Sequence, residues 1–391
     1  MLKYFCLLLS AAGNIFPQTC STIVTRQEIR SLSPCQLTKY FNAVKQLKNK
    51  SSFYLQSCLI HYDNAPYAHG VPAFFPWHRK FLRNYEMALQ AIDPSIVLPY
   101  WDWTIDSQAP ENSPVLSNHY FGGNGRAYDN CVVQGTFAGW NSTIPEPRCL
   151  KRQYNCGNKI SAFYSPEAVE VLLSQAITYD QLHSSIEPGP HSAVHDGIGG
   201  SNGDMEYMYS PNDPIFYSHH AFVDLLWNEW QMRNPSLANT YTGESAENMT
   251  PFNVPVSSVF DTTAPGSCYT YPRWNAALPV DNPPCQAESS SPNPISNTTA
   301  EIHTREHLSS RRRKALNDII ASLAARAKHP IKVSPTDRTT QGKIRTPAPL
   351  PDKLIAMNNL DPIKVREDEQ LLARLVETLN GVTNFIPSAD V

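Results

Sequence analysis

The stretch His191-Ser-Ala-Val-His195, with Asp213-Pro-Ile-Phe-Tyr-Ser-His219-His220 soon after it, decides the reading of this chain. Histidines four apart on a helix share one face, one turn above the other. His219 lies in a second stretch of helical period, Pro214 to Met232, whose face carries Phe216, His219, Val223, Leu226 and Trp230. On that face count His220 points elsewhere and is left out. An earlier stretch offers a matching set: His61, then His69-Gly-Val-Pro-Ala-Phe-Phe-Pro-Trp-His78-Arg79. Two triads of imidazoles, each on or beside a helix, suggest two metal ions held between helices.

Around these residues the pattern is mainly helical. Ser33 is placed to cap a helix with Pro34 in its first turn, and Leu37, Tyr40, Phe41, Val44 and Leu47 follow at helical spacing. The apolar patch Phe53 to Ile60 runs into His61, which falls near a helix end. Residues 63–71 carry the breakers Asn64, Pro66 and Gly70 and predict a turn. Trp77 to Ile92 predicts a helix with His78 beside its apolar stripe, ended by Asp93-Pro94. Leu98-Pro-Tyr-Trp-Asp-Trp103 reads as a packed aromatic loop. Residues 105–160 have no steady period and predict a long disulfide-pinned excursion. Pro166 to Leu182 returns to helical spacing, and Pro188-Gly-Pro190 starts the helix of His191 and His195, which Gly197, Gly199 and Gly200 end. Cys268-Tyr-Thr-Tyr271 reads as a short strand closing the core.

Composition sets wider bounds. The chain has 391 residues, 41% of them hydrophobic, which suffices for a sizeable core. Its net charge of −3 gives no argument for a nucleic-acid partner. The 33 prolines lie largely between apolar segments and predict ordered loops. Residues 1–18 read as a secretory signal, with Lys3, the apolar run from Phe5 and small residues after it. No later run is long enough to span a membrane. Of nine cysteines, Cys6 falls in that signal; the even remainder favours disulfides, with 105 possible pairings. Sequons at Asn49, Asn141, Asn248 and Asn297 fit an extracellular route. Residues 19–286 form one domain. Residues 287–391 change character: a Ser/Pro-rich linker, a polar helix candidate from Glu301 to Ala327 with the basic run Arg311 to Lys314, a Pro-rich patch at 347–351, and an amphipathic segment from Glu367 to Leu379.

Six neutral imidazoles without a carboxylate ligand suit copper, zinc or nickel better than magnesium or calcium. One triad alone could hold catalytic zinc. Two all-histidine triads favour a coupled copper pair, because two Cu(I) ions can each give one electron to O2.

The motifs His69 to Arg79, Leu98 to Trp103 and Asp213-Pro-Ile-Phe-Tyr-Ser-His219-His220-Ala-Phe-Val-Asp224 resemble the tyrosinase, catechol oxidase and hemocyanin family of type-3 copper proteins. The spacing of His61 and His69 looks most like the short secreted fungal branch, and the resemblance covers about residues 24–275. It implies a mainly α fold: a four-helix bundle around two copper ions, with long disulfide-pinned loops and little β structure. It implies copper-A ligands at His61, His69 and His78 and copper-B ligands at His191, His195 and His219. It further implies that Phe216 packs against a copper-B imidazole, that Asp196 and Met205 line the pocket mouth with it, and that Tyr269-x-Tyr271 pairs with Arg26. Asp102, Asp213 and Asp224 are then candidates for orienting helices or histidines. His119, His183, His303, His307 and His329 read as ordinary polar residues.

Two departures matter. Some members carry a Cys two residues before the second copper-A histidine, joined to it by a thioether; here that position is Tyr67. Many phenol hydroxylases of the family have Asn after the first copper-B histidine, holding with an upstream Glu a water that deprotonates the phenol. Here the position is Ser192, and Glu187 lies upstream at a spacing the motif does not fix. This puts monophenol hydroxylation in doubt and leaves catechol oxidation intact. The resemblance thus implies a secreted oxidase that turns o-diphenols into o-quinones while reducing O2 to water. A reversible O2 carrier of hemocyanin type is the alternative, disfavoured by a single copper unit and no repeat. A zinc hydrolase would be told apart by metal content. A C-terminal segment covers the site in some members, and the tail here could serve as such a lid.

Overall fold

Ser33 opens the first helix through a reciprocal cap: its Oγ accepts from Gln36 N at 3.3 Å, and Gln36 Oε1 accepts from Ser33 N at 2.9 Å. The computed structural model describes residues 20–274 and 343–381. The signal, the Glu301–Ala327 helix candidate, Cys285, Asn297, His303, His307 and His329 lie outside the described residues. Helix α1 (Pro34–Lys50) buries Tyr40, Phe41, Val44 and Leu47, the expected stripe. Helix α2 (Phe53–Asp63) carries His61 in its last turn. The turn after it holds one helical turn, Ala65–Ala68, and leaves His69 in extended backbone. Helix α3 (Phe74–Gln90) starts earlier than Trp77 and carries His78.

The stretch expected as one helix from Pro166 is two, α4 (Pro166–Gln175) and α5 (Tyr179–Ile186). Thr178 divides them, because its side chain accepts from Gln181 N and so opens a new helix. A wide helical turn, Glu187–His191, leads into α6 (Ser192–Gly199). Of the three glycines expected to end α6, two sit inside it; Gly200, at φ 50°, makes the exit.

Helix α7 (Ile215–Arg233) differs most from its sequence reading. An amphipathic stripe is expected, yet every residue from Ile215 to Gln231 is buried. Such a helix is enclosed on all sides. Along α3 it stacks Tyr217 on Tyr85 and Trp227 on Phe75, with the Arg79 guanidinium 3.7 Å over Trp227.

The little β structure present is structural. Val24–Thr25 pairs in parallel with Tyr269–Thr270, and Cys20–Cys268 ties the same two segments. Cys131–Cys149 pins the long excursion. Cys58 and Cys156 are free thiols, so the even count does not mean complete pairing. The tail folds back: α8 (Asp352–Met357) leads to α9 (Pro362–Gly381), whose Leu372, Leu375, Val376 and Leu379 join the main core.

Asp224 on α7 fastens this assembly. It accepts from Arg79 Nε at 2.6 Å, Arg26 at 3.3 Å, and the hydroxyls of Tyr269 and Tyr271 at 2.7 and 2.8 Å. Arg26 also donates to Tyr271 Oη at 2.7 Å and to Glu86 at 2.8 Å. Asp213 holds Arg152 at 2.7 Å, while Asp102 accepts from Thr104 and Trp274. None of these carboxylates bonds to a histidine; they orient helices and loops. Replacing Asp224 by Ala leaves the buried Arg79 guanidinium without a carboxylate and Arg26 with Glu86 alone, and urea unfolding should show a loss of about 3–5 kcal/mol. Tyr271→Phe removes one hydrogen-bonding hydroxyl and should cost about 1 kcal/mol.

Candidate metal centre

Each expected copper-A imidazole is held by main chain. His61 donates from Nδ1 to Met208 O at 2.6 Å, His69 to Ala65 O at 3.3 Å, and His78 to Phe74 O at 2.8 Å. The second set follows suit: His191 donates to Glu187 O at 2.9 Å and His195 to Met205 O at 2.6 Å. A carbonyl can only accept, so in each ring Nδ1 carries the proton and Nε2 keeps a bare lone pair. Yet His61 Nε2 and His78 Nε2 lie 3.4 Å apart in a buried site. Two lone pairs aimed at one spot repel unless a cation sits between them. Bonds of about 2 Å meeting at a tetrahedral angle separate two ligand nitrogens by about this distance. His191 Nε2 is likewise buried and without a partner.

The second cluster holds four imidazoles rather than three: His191, His195, His219 and His220. The expectation that His220 points elsewhere is overturned. Successive helix residues are about 100° apart. On a one-faced helix that step leaves the core, but α7 is enclosed, so both histidines stay inside. His220 Nε2 comes within 3.2 Å of His195 Nε2, and its ring stacks on His78 of the other triad at 4.5 Å. Phe216, one turn earlier, packs on His220 at 4.1 Å and on His61 at 5.1 Å. His219 packs on His195 at 5.0 Å and His191 at 5.4 Å with Trp103 at 6.3 Å behind it, and neither of its ring nitrogens has a partner.

The family model for the "common central domain of tyrosinase" matches residues 50–233. The tyrosinase-like protein phomQ1 of Diaporthe leptostromiformis is 33% identical over 311 residues, 65% of this chain and 79% of that one. The tyrosinase ustQ of Aspergillus flavus is 31% identical over 306 residues, 68% of this chain and 84% of its own. This chain belongs to the tyrosinase family. Its fold is similar to that of a polyphenol oxidase from Thermothelomyces thermophila, with a TM-score of 0.52 and 24% identity over 64% of this chain and 88% of that one. As a tyrosinase-family oxidase it is copper-dependent, and its two histidine clusters form the type-3 dicopper site. The neutral, Nε2-directed, carboxylate-free donor set fits copper on chemical grounds as well.

The tyrosinase pocket is walled by His61, His69, His191 and His195, with Ser192, Glu206, Tyr207, Met208 and Ser210. Asp196 and Met205, expected at its mouth, are not in that wall. Met205 is fully buried and serves through its carbonyl; Asp196 accepts from Asn155. Phe216, also fully buried, backs the imidazoles. Tyr67 is exposed, away from any cross-link to His69. The remaining wall comes from the tail: Leu354, Met357 and Asn358 close the pocket from above. Gly70, beside His69, permits this. A Cβ there would lie 2.5 Å from Asn359 O and 2.6 Å from Asn358 O.

His183 is not an ordinary polar residue. It is buried, and its Nε2 meets Glu187 Oε2 at 2.6 Å, while Glu187 Oε1 accepts from Gly70 N at 2.9 Å. Ser192 Oγ donates to Glu187 O at 2.7 Å. Glu187 thus latches the copper-A loop to the copper-B turn, a long-range role that no local pattern shows.

Burial drives the seven imidazoles of the two metal-site clusters toward the neutral form. His61 is pushed down to about 3 and His195 to about 4, and the others lie well below the ordinary 6.5, with neighbouring imidazoles adding to the effect. Above pH 6.5 the unfolded chain gains nothing by protonation. Below it the unfolded histidines bind protons while the folded ones resist, so stability falls with pH toward the folded values. Each such imidazole costs up to about 1.4 kcal/mol per pH unit. Copper-free protein should therefore lose stability steeply between pH 6.5 and 4 in chemical denaturation, and copper should carry folding to lower pH by competing for the same lone pairs.

Proposed function

We propose that this chain is a secreted catechol oxidase: it converts o-diphenols to o-quinones and reduces O2 to water. The observation that carries the reading is the convergence of bare Nε2 lone pairs from two histidine clusters in one buried site. Copper bound there supplies one-electron redox chemistry at two adjacent centres. His61, His69 and His78 would hold one ion, and His191, His195 and His220 the other. His220 replaces His219 in this assignment because its Nε2 converges with His195 Nε2 and its ring faces the opposite triad.

The chain's own residues do the rest. Carbonyls of Ala65, Phe74, Glu187, Met205 and Met208 fix the tautomers of His69, His78, His191, His195 and His61, five of the six proposed ligands. Phe74 packs edge-on to His191 at 4.9 Å and close to His78 at 4.8 Å, and with Phe216 it backs the rings with apolar surface. The diphenol would enter beside His191 and His195, between Ser192 and Met208. Glu187 and Ser192 are both engaged in internal bonds, which supports diphenol oxidation over phenol deprotonation by a held water. Disulfides and the surface positions of Asn49, Asn141 and Asn248 support an extracellular location. Among the described residues no helix is long and apolar enough to cross a membrane.

Copper-loaded protein should oxidise 4-tert-butylcatechol and act far more slowly on the matching monophenol. Oxygen uptake without quinone would instead indicate a carrier. His78→Ala and His195→Ala should abolish oxidation. His220→Ala should drop metal content from two coppers per chain to about one, whereas His219→Ala should retain both; the reverse result would return His219 to the ligand set. Because Leu354, Met357 and Asn358 cover the pocket, the intact chain should turn over slowly. Limited proteolysis, for instance at Arg311 to Lys314, followed by removal of residues 343–381 should raise the rate at least tenfold.

A further inference from the structure

The pocket mouth carries a carboxyl group that electron transfer does not use. Glu206 is only 3% exposed, it forms part of the pocket wall, and its Oε2 has no hydrogen-bond partner. Its seat is fixed: a Cβ on Gly199 would lie 2.3 Å from Glu206 N, so the Glu206 backbone presses directly on the end of α6, one turn beyond His195. Neighbouring carboxylates are neutralised by arginine. Asp204 takes two bonds of 2.8 Å from Arg148, and Asp213 is paired with Arg152. Among the described residues Glu206 has no such arginine, and its ion-pair partner is Lys353 of α8, with Nζ at 3.8 Å. That ammonium also sits 2.9 Å from Tyr207 Oη and 4.0 Å from the centre of the Tyr207 ring.

We infer that Glu206 forms a cation subsite at the mouth of the dicopper pocket, filled in the intact chain by the Lys353 ammonium and, once that segment is displaced, by the amine of a cationic catechol. This rests on the catechol-oxidase reading and names its substrate class. Helix α8 presents two things side by side: apolar Leu354 and Met357 over the imidazoles, and a cation on Glu206. A catechol ring bearing an aminoethyl chain has the same layout. Burial raises Glu206 to about 8, with the charge of Asp196 adding to it, while the Lys353 ammonium pulls it down, so a cation against this carboxyl is what favours its ionised form. Among the described residues nothing in this wall offers a second cation to hold a carboxylate-bearing catechol.

The test uses the full copper-loaded chain and three probes: dopamine, 4-methylcatechol and 3-(3,4-dihydroxyphenyl)propionate. Lys353→Ala should raise kcat/KM for dopamine several-fold more than for the other two. In that background Glu206→Gln should lower the dopamine to 4-methylcatechol ratio about tenfold, whereas Glu206→Asp should largely keep it. Calorimetry with 2-phenylethylammonium, which has no oxidisable diol, reads the subsite without turnover. Binding should be lost in Glu206→Gln and kept in Glu206→Asp. Equal ratios and equal amine binding in all three variants would overturn the proposal. Failure of every probe to give quinone, with amine binding still dependent on Glu206, would instead strike the catechol-oxidase reading and leave the subsite standing.

Discussion

Seven imidazoles are buried together with no carboxylate among them, and the rest of the structure accommodates that constraint. A charged ring in this place would cost several kcal/mol in lost hydration. The rings are therefore neutral, and a neutral imidazole has one donor and one acceptor to satisfy. Main-chain carbonyls take five of the donors, which aims those acceptors inward. Carbonyls suit this better than carboxylates would: they fix the tautomer without adding charge to a site that must receive a cation.

This explains why elements far from the histidines in sequence are built so firmly. The carbonyls of Met205 and Met208 come from a loop, and a loop that steers a ligand must not wander. Asp204 anchors it, accepting from Arg148, Lys151 N and Asn212. The Asp224 cluster performs the same service for the helices, joining α3 and α7 to the N-terminal strand and to Tyr269 and Tyr271. Bonds from two arginines and two tyrosines satisfy a carboxylate that would otherwise be intolerable in the core. Glu187 adds a third tie, between the loop of His69 and the turn of His191.

The C-terminal segment completes the pocket with groups of its own. Leu354 and Met357 add apolar surface to a cavity whose main-domain wall is mostly rings and polar groups, and Gly70 lets the backbone of Asn358 and Asn359 approach His69 closely. Helix α9 secures the segment by burying its own apolar side chains in the main core. Coverage of the pocket and anchoring of the tail are thus separate functions, carried by α8 and α9. Activity and stability of the tail can in principle vary independently.

The local grammar of this chain is strong. The Ser33 cap, the stripes of α1 and α3 and the histidines at four-residue spacing are all legible from residue type and order, whereas the Arg26 partnership with Tyr271 is implied only by the family resemblance. They depend on neighbours along one helix or on motifs of fixed spacing. Periodicity cannot tell that α7 is surrounded, since a stripe shows which face is apolar and not how many faces are covered. A face count therefore sets His220 aside, and only the packed bundle brings it to the centre. Nor does sequence place Glu206, Glu187 or Leu354 at the pocket. Those positions follow from contacts between segments far apart in the chain, where burial and steric fit are settled by the whole fold at once.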